Sequence, residues 1–306
     1  ITLLNDVTDG EGIILKKSLT IDLGGFTYTV TRNPAGSKGT RNQCFQILKE
    51  AGAVTIQNGT VAASSESIQN KIIKMIIQNY ADTTLNNVTV KGADVSYAFS
   101  NNSGKVSILG DTTIEGKMDV CWWPSAYPNG VQLTVDTTGS VDEIELGFYG
   151  NNGTIITPVL SALTVKNGTV NKLSVDCPDS ADTQEGGTVT HADLVGSVKF
   201  NISEGVTLPA PEGYLWCGST LKVAHNLGEV AYTWSEDLST CTAEITCQDC
   251  GYVEKTERAA VTSQVTTQAS CTEAGVETFT ATFTDGAFAP QTKTEAIPAV
   301  GHSMTK

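Results

Sequence analysis

The sequence predicts an all-β chain, with a sandwich or a solenoid of stacked coils in the first two-thirds and a smaller β unit in the last third. Three observations predict this. The 306 residues include 42 Thr and 29 Gly but are only 17% charged, against ~25% for an average soluble domain. Short runs alternate apolar residues with Thr and end in Asn or Gly, the period-two pattern of strands with one buried face. Stretches of helical periodicity are almost missing, which argues against a doubly wound α/β fold.

The opening Ile1-Thr2-Leu3-Leu4 reads as part of a strand, with neither Met nor a charged-then-apolar leader, as in a mature or trimmed product. The scheme Val54-Thr55-Ile56-Gln57-Asn58-Gly59-Thr60-Val61 returns 109 residues later as Leu163-Thr164-Val165-Lys166-Asn167-Gly168-Thr169-Val170. Looser echoes occur at 19–25, 87–92 and 106–110. The best helix candidate, 67–78, is dominated by Ile and reads equally well as a buried strand. Asn-x-Ser/Thr triplets begin at Asn58, Asn87, Asn101, Asn152, Asn167 and Asn201. They read better as tight turns between Thr-rich strands than as glycan acceptors. Coils of a parallel solenoid run roughly 20–25 residues, and the spacings from Ile56 to Val90 and from Val165 to Val198 exceed one coil, so the coils must carry loops.

Thr2-Leu3-Leu4-Asn5-Asp6-Val7, followed by Leu19-Thr20-Ile21-Asp22-Leu23-Gly24-Gly25-Phe26-Thr27, resembles the first coil of bacterial right-handed parallel β-helix proteins of the pectate-lyase-like fold. Ile77-Gln78-Asn79 leading to Leu85-Asn86-Asn87-Val88-Thr89-Val90 resembles a later coil. The resemblance implies a right-handed parallel β-helix over residues 1–210. It implies no activity, because this architecture hosts lyases, hydrolases and inert stalks alike.

The turn-rich stretch Leu208-Pro209-Ala210-Pro211-Glu212-Gly213 marks a change of style. Residues 211–306 carry 12 acids and 5 bases, a net −7; the preceding 210 carry 21 and 14, also −7. Strand candidates at 230–234, 242–246, 252–256, 276–283 and 292–297 are spaced as in a small β-sandwich. His225-Asn226-Leu227-Gly228 and Gly301-His302 open in a common register 77 residues apart. Tyr232-Thr233-Trp234-Ser235-Glu236-Asp237, Cys271-Thr272-Glu273-Ala274-Gly275 and Ile297-Pro298-Ala299-Val300-Gly301-His302 resemble a tandem repeat, here 225–302, of surface proteins from Gram-positive gut bacteria. The resemblance implies display at the bacterial cell surface and attaches no biochemical role to the repeat.

Four cysteines cluster in this last third: Cys241, Cys247, Cys250 and Cys271. Cys247-Gln248-Asp249-Cys250-Gly251 has the shape of a zinc knuckle, two thiolates sharing one metal and Gly relieving the turn. Cys241 and Cys271 would complete a structural Cys₄ zinc site, useful to a module with few large apolar residues. Disulfides such as Cys241–Cys271, or free thiols, are the alternatives. His225 and His302 are possible ligands but read rather as repeat punctuation.

Net charge is −14 and only three arginines are present, which disfavours nucleic acid. No apolar run reaches the ~18 residues of a membrane span. Ser-His-Asp arrangements, phosphate loops and nucleotide fingerprints are missing. An enzyme of this architecture would bring Arg32 or Arg41, or two of Asp136, Asp142, Glu143 and Glu145, together in a groove. Trp122, Trp123, Tyr127 and Tyr149 offer flat platforms suited to sugar rings, or else cap the solenoid. The expected role is a non-catalytic, secreted or wall-displayed element for adhesion to a glycan or host macromolecule. A polysaccharide lyase or glycoside hydrolase is the alternative, and a spacer without ligand the third.

Overall fold

The structure, a computed structural model, describes residues 1–37, 39–122, 130–148, 161–176 and 191–302. It is all-β but for short helical turns, and its contacts divide it into two units, Ile1–Val223 and Ala224–Lys306. In the first unit β1 to β14 form one sheet, and every strand pair in it is parallel.

The sheet is built from three ladders, visited in the same order on each pass. β1 (Val7–Glu11) and β2 (Ile13–Leu15) start the second and third. One full pass runs through β3 (Leu19–Asp22), β4 (Thr27–Arg32) and β5 (Gln43–Ile47). The next runs through the two halves of β6 (Ala53–Ala63) and then β7 (Met75–Asn79); the third through β8 (Asp82–Gly92) and β9 (Tyr97–Asn101). β10 (Gly104–Gly110) and β11 (Thr113–Trp122) make a further pass. β12 (Val131–Phe148) and β13 (Ser161–Asp176) each cross all three ladders in one strand, and β14 (Val198–Ile202) closes the first ladder.

Alternation places the apolar residues in buried columns. In the third ladder Phe45, Ile77, Phe99, Met118, Ile144 and Leu173 follow one another in register, all buried. In the first, Ile21, Ile56, Leu85, Ile108, Val135 and Val165 do the same. Val54, Thr83, Val106, Leu133, Leu163 and Phe200 are register partners, so the chain returns after 29, 23, 27, 30 and 37 residues. The two octapeptides 109 residues apart thus occupy equivalent places. Thr2 bridges Asp22 in parallel, so the two segments read as one first coil lie on consecutive passes.

The Asn-Gly pairs at Asn58 and Asn167 reverse nothing; Asn152 lies outside the described residues. Asn58-Gly59 lies inside β6, where the strand bends from one ladder to the next, and Asn58 and Asn87 both adopt φ 57°. Asn tolerates this left-handed region. Their amides stack: Asn87 Nδ2 donates to Asn58 Oδ1 at 3.2 Å, and Asn58 Nδ2 to Asp22 Oδ1 at 3.2 Å. Asn101 is fully buried and its Oδ1 accepts from Asn79 Nδ2 at 3.2 Å, which leaves no room for a glycan in the folded chain. At Gly59 a Cβ would overlap the Phe26 carbonyl oxygen and the Leu23 side chain. Gly59→Ala is expected to cost about 1–3 kcal/mol, read as a lower denaturant midpoint at unchanged slope.

Between residues 67 and 78, α1 (Ser65–Gln69), capped by the Ser64 side chain on the Ser67 N–H, is followed by β7. Both readings of that stretch therefore hold in part. α2 (His191–Gly196) precedes β14. The change of style at 210/211 falls thirteen residues before the division at Val223. The intervening hairpin, β15 (Leu215–Cys217) and β16 (Thr220–Lys222), closes on the first core. Trp216 meets Phe200 edge-on at 5.1 Å, its indole N–H donates to the Leu208 carbonyl at 2.6 Å, and Leu221 is buried.

The second unit is an antiparallel meander of β17 (Ala231–Trp234), β18 (Thr240–Thr246), β19 (Val253–Thr267), β20 (Gly275–Ala281) and β21 (Gln291–Ile297). β19 runs eleven residues beyond the expected 252–256, pairing first with β18 and then with β20. Its core is thin: Cys241, Ala243, Ala259, Ala281, Phe283 and Phe288, with Tyr232 against Phe283 at 5.7 Å.

Candidate metal centre

Beyond Thr246, β18 turns through a tight loop. The Cys247 N–H donates to the Tyr252 carbonyl and the Gly251 N–H to the Cys247 carbonyl, both at 2.8 Å. Gly251 sits at φ 72°, the left-handed position the knuckle reading assigned to it. The segment before β17 is strapped onto this loop. Gly228 N–H donates to the Thr246 carbonyl at 2.9 Å, Gln248 N–H to the Asn226 carbonyl at 2.8 Å, and Leu227 bridges Cys247. The Asn226 amide adds a bond to Asp249 Oδ1 at 3.1 Å.

This strapping delivers His225 to the cysteines. Its ring stacks on Tyr252 with centroids 4.5 Å apart and planes 11° apart, and its Nδ1 lies 3.7 Å from Cys250 Sγ. The ligand atoms of His225, Cys247 and Cys250 all lie within 4.8 Å of one another. Donors bound to one tetrahedral zinc, S at ~2.3 Å and N at ~2.0 Å, stand roughly 3.5–3.8 Å apart. Burial alone would raise the Cys247 thiol, but the Asp249 and Cys250 N–H groups and the Cys250 and His225 side chains bring it down to about 6. These groups favour the thiolate, the form that ligates metal.

Of the four thiols expected to form a Cys₄ set, the structure brings together only Cys247 and Cys250. Cys241 is buried among Ala243 and Ala259 in the core, where burial pushes its thiol up. Six residues of extended strand separate it from Cys247, roughly 20 Å of chain. Cys271 is exposed in the turn before β20. No disulfide joins the described cysteines. The sequence reads His225 as repeat punctuation; the pairing of 226–228 with 246–248 brings it to the cysteines instead.

Trp123, Tyr127 and Tyr149 lie outside the described residues, as does the side chain of Trp122, whose backbone ends β11. Arg32 is exposed and paired with Asp9 at 2.9 Å and Glu11 at 3.6 Å, and Arg41 is exposed elsewhere. Asp136 lies 3.9 Å from Lys166, and Asp142 accepts from the Gly116 N–H at 2.8 Å. Glu143 and Glu145 share one face of β12. Glu143 accepts from Lys172 at 3.2 Å and Ser174 at 2.5 Å. Glu145 accepts from the Tyr97 hydroxyl at 2.7 Å and pairs with Lys117.

Opposite Glu145 on β11 stands Asp119, fully buried, with Oδ1 accepting the Asn101 N–H and Oδ2 without a partner among the described residues. Burial pushes its carboxyl up to about 7 against the pull of the Asn101 N–H, and the Glu145 charge adds to the rise. Two carboxyls thus sit side by side on adjacent strands, the pairing of acids that acid–base chemistry uses. The depressions described on this unit's surface, around Ile68–Ser96 and Val195–Leu221 in the chain, are lined by other residues. No family model, curated protein or solved structure matches the chain.

Proposed function

We propose that the chain is a non-catalytic, secreted or wall-displayed bacterial protein whose first unit is a right-handed parallel β-solenoid offering a rigid face to a glycan. One observation carries this reading. Thr20, Thr55, Thr84, Ser107, Thr134, Thr164 and Asn201 are successive register partners along the first ladder. All seven are partly or fully exposed. Strands repeat every 4.7–4.9 Å, so the row runs about 29 Å. Thr and Ser hydroxyls both donate and accept, and they are neutral. An ordered row of neutral hydroxyls suits a neutral polysaccharide laid along it, whose own hydroxyls need both kinds of partner.

The test is retention on insoluble and arrayed polysaccharides by the full chain and by Thr84→Lys and Thr134→Lys variants. Binding to at least one neutral glycan, weakened tenfold or more by either charge in the row, is the expected result. Unchanged retention in both variants overturns the hydroxyl row as the binding face. Asp119 and Glu145 favour a second reading, a glycoside hydrolase or lyase. Release of reducing ends or unsaturated product, abolished in Asp119→Asn, would establish it instead.

A further inference from the structure

We propose that His225, through Nδ1, and the thiolates of Cys247 and Cys250 hold one zinc ion that staples the second unit. Three donors of the types zinc prefers converge from two chain segments to within 4.8 Å of one another. The 3.7 Å between Cys250 Sγ and His225 Nδ1 is long for a hydrogen bond and close to a tetrahedral edge. Cys247 is buried, and its sulfur already receives the loop N–H groups of Asp249 and Cys250, the support that metal-bound thiolates need. Tyr252 holds the imidazole plane from one side.

The staple has a clear purpose in this unit. Among the described residues its buried core cluster consists of Phe283 and Phe288 with three Ala and one Cys, and Leu238 is the one buried Leu, Ile or Val between 225 and 252. Small apolar cores are commonly supplemented by a structural metal. The ion would add to the Gly228–Thr246 and Gln248–Asn226 backbone bonds that tie the 225–228 strap to the end of β18. Three protein ligands leave one tetrahedral position for a further thiolate or a water. This site is independent of the hydroxyl row, so either proposal can fail while the other stands.

The experiment uses the whole chain, reduced with a phosphine, stripped by chelator and titrated with Co²⁺ and then Zn²⁺. One equivalent of Co²⁺ is expected to give the visible bands of a tetrahedral site with thiolate charge transfer in the near ultraviolet, bleached by one equivalent of Zn²⁺. The charge-transfer intensity counts the thiolates, two or three being expected, and serine variants of Cys217 and Cys271 identify a third. Cys247→Ser and His225→Ala are expected to weaken Zn²⁺ at least about 100-fold, while the exposed Cys271→Ser leaves at least two thiolates in the spectrum. Absence of stoichiometric binding by the parent chain overturns the proposal whatever the variants do, as does a spectrum unchanged by both Cys247→Ser and Cys250→Ser.

Discussion

Phe99→Ala is expected to destabilise the first unit by about 3–5 kcal/mol. Phe99 is fully buried, with Ile77 before it and Met118 after it in the same column. Both neighbours belong to continuous parallel ladders held by backbone bonds on either side, so neither can collapse far into the space left by the ring. The cost is therefore a transfer loss plus a cavity. Denaturant unfolding followed by a probe in each unit should show the first transition shift and the second remain, since the second core draws on none of these residues. A loss below about 1 kcal/mol would mean that the column is not packed as described.

Asp119→Asn is expected to stabilise the first unit above neutral pH and to flatten its pH dependence. In the unfolded chain the Asp119 carboxyl ionises near 3.8, and in the folded chain near 7. Between these values the unfolded state holds fewer protons, so stability falls as pH rises. The contribution of the protonated form is fully present below about pH 4 and is lost by about pH 7. Burial sets the sign; among the facing groups Glu145 repels the ionised form, and Lys117 offsets this only partly because it already pairs with Glu145. Asparagine keeps the acceptor for the Asn101 N–H and removes the charge. The variant should exceed its parent at pH 8 by a few kcal/mol, on the scale of about 1.4 kcal/mol per pKa unit, and approach it near pH 4. A variant less stable than its parent at pH 8, with an unchanged slope between pH 4 and 7, would contradict this account.

These two residues also show what a sequence can convey here. The buried columns were legible, because Val54, Ile56, Leu163 and Val165 alternate with Thr and alternation alone decides which face is buried. The pairing partners were not legible. Successive returns vary between 23 and 37 residues, so no fixed period links one pass to the next, and the Asn-Gly signals that suggest reversals mark corners instead. Nothing in the sequence sets Asp119 apart from the other acids, since its burial and its position opposite Glu145 depend on β11 pairing with β12.

The same limit applied at the cysteines. Cys247 and Cys250 declared themselves by local spacing, whereas His225 arrives through strand pairing. Cys241, near in sequence, is carried away by the extended strand that separates it from the loop. Local motifs survive folding because few dihedrals intervene; ligands from other segments depend on topology.

The metal site can be tested most directly by zinc K-edge X-ray absorption on the loaded, desalted chain. The expected first shell contains two or three sulfurs at about 2.3 Å and one imidazole nitrogen at about 2.0–2.1 Å, with the sulfur amplitude reduced in Cys250→Ser. A shell of oxygen alone, or a chain that keeps no zinc after desalting, would contradict a site built from His225, Cys247 and Cys250.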